Sequence, residues 1–299
     1  MLSICIPVYN FDISRLVKDL HRQALELDKP IEILLLDDGS SEDFKIRNRV
    51  LKDLPLARYH ELKENTGRSK IRNLLAAMAR YPNIIFMDCD SAVPDNLYLK
   101  RYLEVAPGKP VICGGRSYHS EPPEDSTYLR WLFGIKREVK SAAERSSHPN
   151  HSFMTNNFMI SKELVQKITF NEKLEGYGHE DTLFGFELMK NGIAIHHIDN
   201  PLIHIGLETA EEFLEKTRQG IKNLVRIYHM MNKDPELSNM VRVLKTYEKL
   251  RRYKFYRVYG QFFNTIEKPI EKHLKQPPSR LFFFDLYKLG IICRQAEQA

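Results

Sequence analysis

Two rhythms of apolar residues alternate along the first part of the chain. A strand is expected near residues 56–62, and apolar runs occur at Leu2 to Val8, Ile31 to Leu36, Ile84 to Met87 and Val111 to Gly114. Such runs read as strands buried on both faces. Between them, apolar positions recur at helical spacing: Ile13, Leu16, Val17, Leu20, Ala24 and Leu27 in one stretch, and Ile71, Leu74, Leu75 and Met78 in another. Residues 42–53 supply a further helix, and Pro30 and Pro82 close two of the helical stretches. Strand and helix thus alternate through about residue 115, which predicts a mostly parallel sheet with helices on both faces. Ligands in such sheets bind beyond the carboxyl ends of the strands. Three polar clusters fall there: Tyr9-Asn10, Asp37-Asp38, and Asp88 with Asp90.

Periodicity weakens over residues 115–152, where Tyr128, Trp131 and Phe133 interleave with Ser, Pro, Glu and Arg. A long loop with a short helix is expected. Order resumes at Asn156 to Leu164, and Glu180-Asp181 opens a helix. Leu202 to Gly206 reads as a late strand. Thr209-x-x-Glu212 is a capping box, followed by a helix with Phe213, Leu214, Ile221, Leu224 and Tyr228 on one side.

Composition refines this picture in one place. The chain has 299 residues, 42% hydrophobic and 28% charged, an ordinary globular balance. Its net charge of +6 is uneven, because residues 237–299 hold 13 Lys and Arg against 5 Asp and Glu. The same stretch holds 11 of the 31 aromatic residues. Cations interleaved with large apolar groups suit an interfacial helix on anionic lipid, and equally suit helices packed together with a solvated basic face. No stacking module or groove-reading motif points to nucleic acid. The four cysteines show no metal-ligand spacing and sit in apolar stretches, as free thiols in a reducing compartment do. The chain opens without a secretory pattern and holds no apolar run near the ~20 residues of a spanning helix. The expected location is cytoplasmic, at the inner face of the cytoplasmic membrane.

The chemistry concentrates in Phe86-Met87-Asp88-Cys89-Asp90. Side chains two apart in an extended segment point the same way, so Asp88 and Asp90 converge past the strand end. Two close carboxylates repel unless a cation lies between them. Hard oxygen ligands suit Mn2+ or Mg2+, ions usually shared with substrate phosphates. Gly67 opens a helix carrying Arg68, Lys70 and Arg72, and a helix N-terminus favours anions.

Taken in order, Ser3-Ile4-Cys5-Ile6-Pro7-Val8-Tyr9-Asn10, Leu36-Asp37-Asp38-Gly39-Ser40, Asn65-Thr66-Gly67 with Arg72-Asn73, Asp88-x-Asp90 and Gly176-Tyr177-Gly178-His179-Glu180-Asp181 resemble the family 2 glycosyltransferases. The resemblance spans residues 2–206. It implies a GT-A fold, a nucleotide-sugar donor, a divalent cation and inversion at the anomeric carbon. Carried over residue by residue, it implies nucleotide-sugar contacts from Pro7, Tyr9, Asp37, Asp38, Gly67, Arg72, Asp88, Cys89 and Asp90, with Asp38 the first choice for the base or ribose. Asp90 is the first choice for the cation, with Asp88 beside it or on the ribose. His204 is a candidate further ligand, with His196 and His197 competing. Asp181 is implied as the catalytic base, with Glu180 holding the acceptor, and Asn156, Asn157 and His179 as further acceptor contacts. Arg68 and Lys70 read as a solvated face.

The expectation is therefore a GT-A domain over residues 1–206 and a helical, basic and aromatic extension over 207–299. The expected reaction moves a sugar from a nucleotide-sugar, a UDP-sugar first, to a hydroxyl of a glycan or lipid-linked glycan. A sugar-1-phosphate nucleotidyltransferase shares this strand order and cation logic. It normally carries a Gly-rich, Arg-containing loop where this chain has Pro7-Val8-Tyr9-Asn10-Phe11. A non-catalytic nucleotide-sugar-binding protein of the same fold is the other alternative.

Overall fold

The computed structural model describes residues 1–151 and 153–295. Residues 296–299, the last of the basic tail, lie outside that range. The chain divides into two compact units. The first comprises Met1–His119, Glu138–Leu174 and Glu180–Gly206. The second comprises Ser120–Arg137, Glu175–His179 and Leu207–Ala299.

Ten strands build the first unit: β1 (Leu2–Val8), β2 (Ile31–Asp37), β3 (Ala57–Glu61), β4 (Asn83–Met87), β5 (Ser91–Ala92), β6 (Val111–Cys113), β7 (Arg116–Ser117), β8 (Asn157–Ser161), β9 (His196–His197) and β10 (Leu202–His204). Seven of them form one sheet in the order β3-β2-β1-β4-β8-β6-β9. β3, β2, β1 and β4 run parallel, β8 lies antiparallel between β4 and β6, and β9 pairs parallel with β6. The apolar runs of the sequence are these central strands. Alternate residues face opposite sides. Ile4, Ile6, Val8, Ile33 and Leu35 pack with the helix Ser14–Glu26. Cys5, Leu34, Leu36, Ile84 and Phe86 pack with the helix Arg68–Met78. Burial on both faces explains why these strands lack polar alternation.

In-register parallel pairing aligns the strand ends. Val8 lies opposite Asp37, and Asp37 opposite Glu61. Met87 ends β4 opposite Asn157. The acidic turns therefore share one edge of the sheet. A small three-stranded sheet, β5-β10-β7, covers the ground just past Asp90. The expected long loop at 115–152 is more ordered than its sequence implied. It contains β7 and the short helices Tyr128–Phe133 and Ala142–Ser146, the latter held by a Ser141–Glu144 capping box.

The second unit is helical among its described residues, with Ala210–Met230, Pro235–Met240, Arg242–Arg252, Phe255–Leu274 and Leu281–Gln295 as its principal helices. The Thr209–Glu212 capping box is formed as the sequence implied. Tyr247, Phe263, Phe284 and Tyr287 are buried, so four of the 11 aromatic residues at 237–299 join Phe213, Leu224 and Leu244 in a helical core. Gly178 sits at φ +98°, where a side chain would meet the Gly220 backbone at 2.9 Å. Asn223 donates to the carbonyls of Glu175, Tyr177 and Gly178, tying down the glycine-rich loop that leads into Glu180.

Candidate active site

The turns after β1 and β2 are tied to each other and to the start of the helix Arg68–Met78. The backbone N–H of Asp38 donates to the Val8 carbonyl at 2.8 Å. Asn10, at φ +47°, donates from its backbone to Ser40 Oγ and accepts from the Ser41 N–H. Pro7 lies within β1 opposite Leu36, one residue before the strand ends, and Tyr9 is exposed beyond it. Asp37 is wholly buried. It accepts from the Ser40 N–H at 2.7 Å and the Tyr59 hydroxyl at 2.9 Å. Asp38 accepts at one oxygen from the Thr66 N–H (2.7 Å) and hydroxyl (2.8 Å), and at the other from the Gly67 N–H (3.1 Å). Both carboxylates are engaged by the protein and shape the turns. Gly39, at φ +75°, is required in the second turn, because a Cβ there would meet the Glu64 backbone at 2.6 Å.

Arg72 ties the third turn to the acidic pair. It is buried on the helix Arg68–Met78, with Nη2 2.8 Å from Asp88 Oδ1 and Nη1 3.7 Å from Glu180 Oε1. Arg116, in β7, approaches the other oxygen of Asp88 at 3.5 Å and Glu138 at 3.3 Å. Glu138 also accepts from the Tyr118 hydroxyl. Asp88 thus lies between two guanidinium groups, an arrangement that suits anchoring better than binding a cation. Nothing local in the sequence marks Arg116, whose partners are brought by the fold. Arg68 is exposed, as a solvated face expects, and its Nη1 also lies 3.1 Å from Glu180 Oε1. Lys70 is exposed as expected.

Glu180 and Asp181 begin the helix Glu180–Lys190. Burial opposes the charge on Glu180, but Arg68 and Arg72 outweigh it and hold the carboxyl below its usual range. Asp181 behaves oppositely. Burial first, and the adjacent Glu180 charge second, push it up to about 7. Its Oδ1 accepts from the Thr182 N–H at 2.7 Å. Cys89, between the two aspartates, has its thiol pushed up to about 12 by burial and stays protonated.

Asp90 meets His204 through the small sheet. β10 runs antiparallel to β5 with His204 opposite Ser91, and the Ile205 N–H donates to the Asp90 carbonyl at 2.9 Å. Gly206 permits this approach, since a Cβ there would stand 2.7 Å from Asp90 Cβ. His204 Nδ1 lies 3.5 Å from Asp90 Oδ1, and the Tyr118 ring meets the imidazole edge-on. Burial opposes ionisation of Asp90, yet His204 and the charge of Arg116 hold it well below the ordinary carboxylate range. Asp90 Oδ1 and both ring nitrogens of His204 are buried without a hydrogen-bond partner. One carboxylate oxygen and one imidazole, facing each other and otherwise unsatisfied, are donors of the kind that fit a divalent cation. No cluster of three His, Cys, Asp or Glu suited to a metal occurs among the described residues.

The competing histidines separate clearly. His197 is spent on structure: its Nδ1 accepts from Arg145 Nε at 3.1 Å and its Nε2 lies 2.7 Å from the Pro149 carbonyl. His196 lies in β9 at the edge of the large sheet, opposite Ile112. Asn157 is a correction to the expected acceptor set. Its Oδ1 accepts from the Tyr98 and Tyr102 hydroxyls, at 2.6 and 2.7 Å, and its Nδ2 donates to the Gly115 and Asn200 carbonyls. All its capacity is used inside the core, and none remains for a sugar. Asn156 differs, with a buried side-chain oxygen that has no partner. Its carbonyl accepts from the Asp88 N–H. His179 belongs to the second unit and holds φ +66°.

The chain is similar to several known proteins. The hyaluronan synthase of Pasteurella multocida is 27% identical over 227 residues, 65% of this chain and 23% of that protein. The chondroitin synthase of Escherichia coli is 25% identical over 240 residues, 68% of this chain and 34% of that protein. The chain thus spans roughly a quarter to a third of these relatives. Among solved structures, the mannosyltransferase PcManGT from Pyrobaculum calidifontis in complex with GDP-Man and Mn2+ is similar with a TM-score of 0.60 at 13% identity, over 99% of this chain and 86% of that one. S. aureus TarS 1-349 in complex with UDP-GlcNAc gives 0.54 at 16% identity, over 99% and 91%. These likenesses show the GT-A fold. The sequence profile of Glycosyl transferase family 2 matches residues 3–169, more than half of the chain, and the chain belongs to that family.

Proposed function

We propose that the chain, through the site built on its first unit, transfers a sugar from a nucleotide-sugar, with a UDP-sugar as first choice, to a hydroxyl of a glycan or lipid-linked glycan presented at the cytoplasmic face of a membrane. The observation that carries this reading is the division of labour between Glu180 and Asp181. Glu180 is pinned as a carboxylate by Arg68 and Arg72, while Asp181, raised to about 7, is poised to exchange a proton near neutral pH. A solved neighbour holding UDP-GlcNAc and relatives named hyaluronan and chondroitin synthases support a polysaccharide-building role.

The chemistry assigned is a single displacement. The acceptor oxygen attacks the anomeric carbon as the bond from that carbon to the diphosphate oxygen breaks. Asp181 takes the acceptor's proton on the face opposite the leaving group, and the product is inverted. Arg72 and Arg116 hold Asp88 in place at the strand end. Asp37 and Asp38 stiffen the turns that border the nucleotide, with Tyr9 exposed to meet its base. Asp90 and His204 are the groups that would hold Mn2+ or Mg2+. Once bound, such a cation supplies charge neutralisation for the departing diphosphate.

The test is incubation with a panel of nucleotide-sugars and short glycan acceptors, with and without Mn2+. Release of nucleoside diphosphate with a product of inverted anomeric configuration supports the reading. Release of pyrophosphate in a parallel incubation with a nucleoside triphosphate and a sugar 1-phosphate would point to the nucleotidyltransferase chemistry instead. Binding of nucleotide-sugar without turnover of any donor would leave a binding protein.

A further inference from the structure

The second unit carries a surface feature that glycosyl transfer does not use. On the helix Phe255–Leu274, the residues Gly260, Phe263, Ile270 and Leu274 are buried and define its packed face. Phe255, Val258 and Phe262, spaced three and four apart, form a second apolar stripe that is 59, 64 and 55% exposed. Tyr253, just ahead of the helix, is 68% exposed. Apolar residues scattered singly on a surface need no explanation, but a contiguous helical stripe does.

Cations border this stripe. Lys254, at φ +62°, turns the chain between the helices Arg242–Arg252 and Phe255–Leu274. At that turn lies a cavity of about 310 Å³, lined by Lys233, Arg251, Lys254 and Arg257 together with Tyr247 and Tyr256. Among the described residues no acidic side chain lines it. A wider cavity of about 720 Å³ shares Lys233 and Arg251 and adds Arg252 and Tyr253. Glu248, the one carboxylate there, is occupied by Arg251 at 3.0 Å and by the Tyr228 hydroxyl. Positive cavities beside an exposed aromatic stripe match a surface with negative headgroups above an apolar interior.

We propose that this corner of the helical unit docks on an anionic lipid bilayer. Lys233, Lys254 and Arg257 take headgroup phosphates, while Phe255, Val258 and Phe262 enter the interface and Tyr253 lies at its level. The proposal rests on the reading that the chain works at a membrane, and names the surface that does so. It uses no residue of the transfer site.

The test is co-sedimentation of the full chain with vesicles of phosphatidylcholine alone and of an equimolar phosphatidylcholine–phosphatidylglycerol mixture. Binding to the anionic vesicles only, weakened by added salt, is expected. Lys254→Glu with Arg257→Glu should lower that affinity by at least about 30-fold, from the usual contribution of two basic residues at an anionic surface. Phe255→Ser with Phe262→Ser should also release the protein while leaving its circular dichroism and nucleoside diphosphate release on a soluble acceptor unchanged. Equal partition onto both vesicle types, or onto neither, overturns the proposal. So does tight binding of free glycerol phosphate to which the phenylalanines are indifferent, which would mark a soluble phosphorylated ligand. A dimer in sedimentation that dissociates in the phenylalanine variant would assign the stripe to a second copy and overturn it as well. Because turnover is followed separately on a soluble acceptor, failure of vesicle binding and failure of the transfer reading are told apart.

Discussion

Glu180 and Asp181 are consecutive carboxyls with opposed protonation, the first held ionised by Arg68 and Arg72 and the second raised to about 7 by burial and by that fixed neighbouring charge. Environments that push paired groups apart separate an anchoring residue from a proton-exchanging one. The prediction for Asp181→Asn is a fall in kcat of about 10²–10⁴-fold, the usual worth of a positioned base. Nucleotide binding should stay near its native value in calorimetry. Loss of both together would show that Asp181 holds the donor.

With Asp181 read as the base, a pH dependence of rate is predicted. A base works only when deprotonated, so kcat should climb as pH rises through about 7 and then level. Arg68→Ala should move that midpoint. Removing the cation strips Asp181 of a compensating charge and, with Glu180 still ionised, drives the midpoint upward. A profile unmoved by Arg68→Ala would disconnect the pair.

Stability follows the opposite sign. The folded-state value of Asp181 stands above the unfolded value of about 4. Between the two the native protein binds more protons than the unfolded chain, so this group's contribution falls as pH rises from about 4 to about 7. Asp181→Asn lacks the penalty. Its urea midpoint relative to the native protein should improve from pH 5 to pH 8, by up to about 1.4 kcal/mol per pH unit within the window. Parallel stability curves for the two proteins would refute the buried-charge account.

Asp90 and His204 face each other with unsatisfied atoms. Asp90→Ala and His204→Ala should each weaken UDP binding in the presence of Mn2+ by roughly 10–100-fold, with little effect in its absence. Calorimetry with and without Mn2+ decides this. A native protein whose UDP affinity ignores Mn2+ would remove the cation from this pair.

Asn157 should behave as a structural residue. Asn157→Leu strands the Tyr98 and Tyr102 hydroxyls and two carbonyls in the core, and should cost at least about 3 kcal/mol in denaturant unfolding. A folded, stable variant with selectively poor acceptor use would instead return it to the acceptor site.

Residue patterns along the chain were enough for the strand–helix alternation, the sharing of one sheet edge by the turns at Asn10, Asp38 and Asp88, and the helix that begins at Glu180. These are local matters: periodicity over a few residues decides which positions are buried, and parallel pairing then brings like ends together. The tertiary structure alone decided that β8 inserts antiparallel, that His204 rather than His197 reaches Asp90, and that Arg116 and Arg68 join Asp88 and Glu180. It also decided that Asn157 is consumed by two tyrosines fifty-odd residues upstream, and which tail aromatics make a core and which stay outside. Each of these is a pairing between segments far apart in the chain. Burial and hydrogen-bond satisfaction choose such partners only once the segments have met, and no pattern along the chain records the choice.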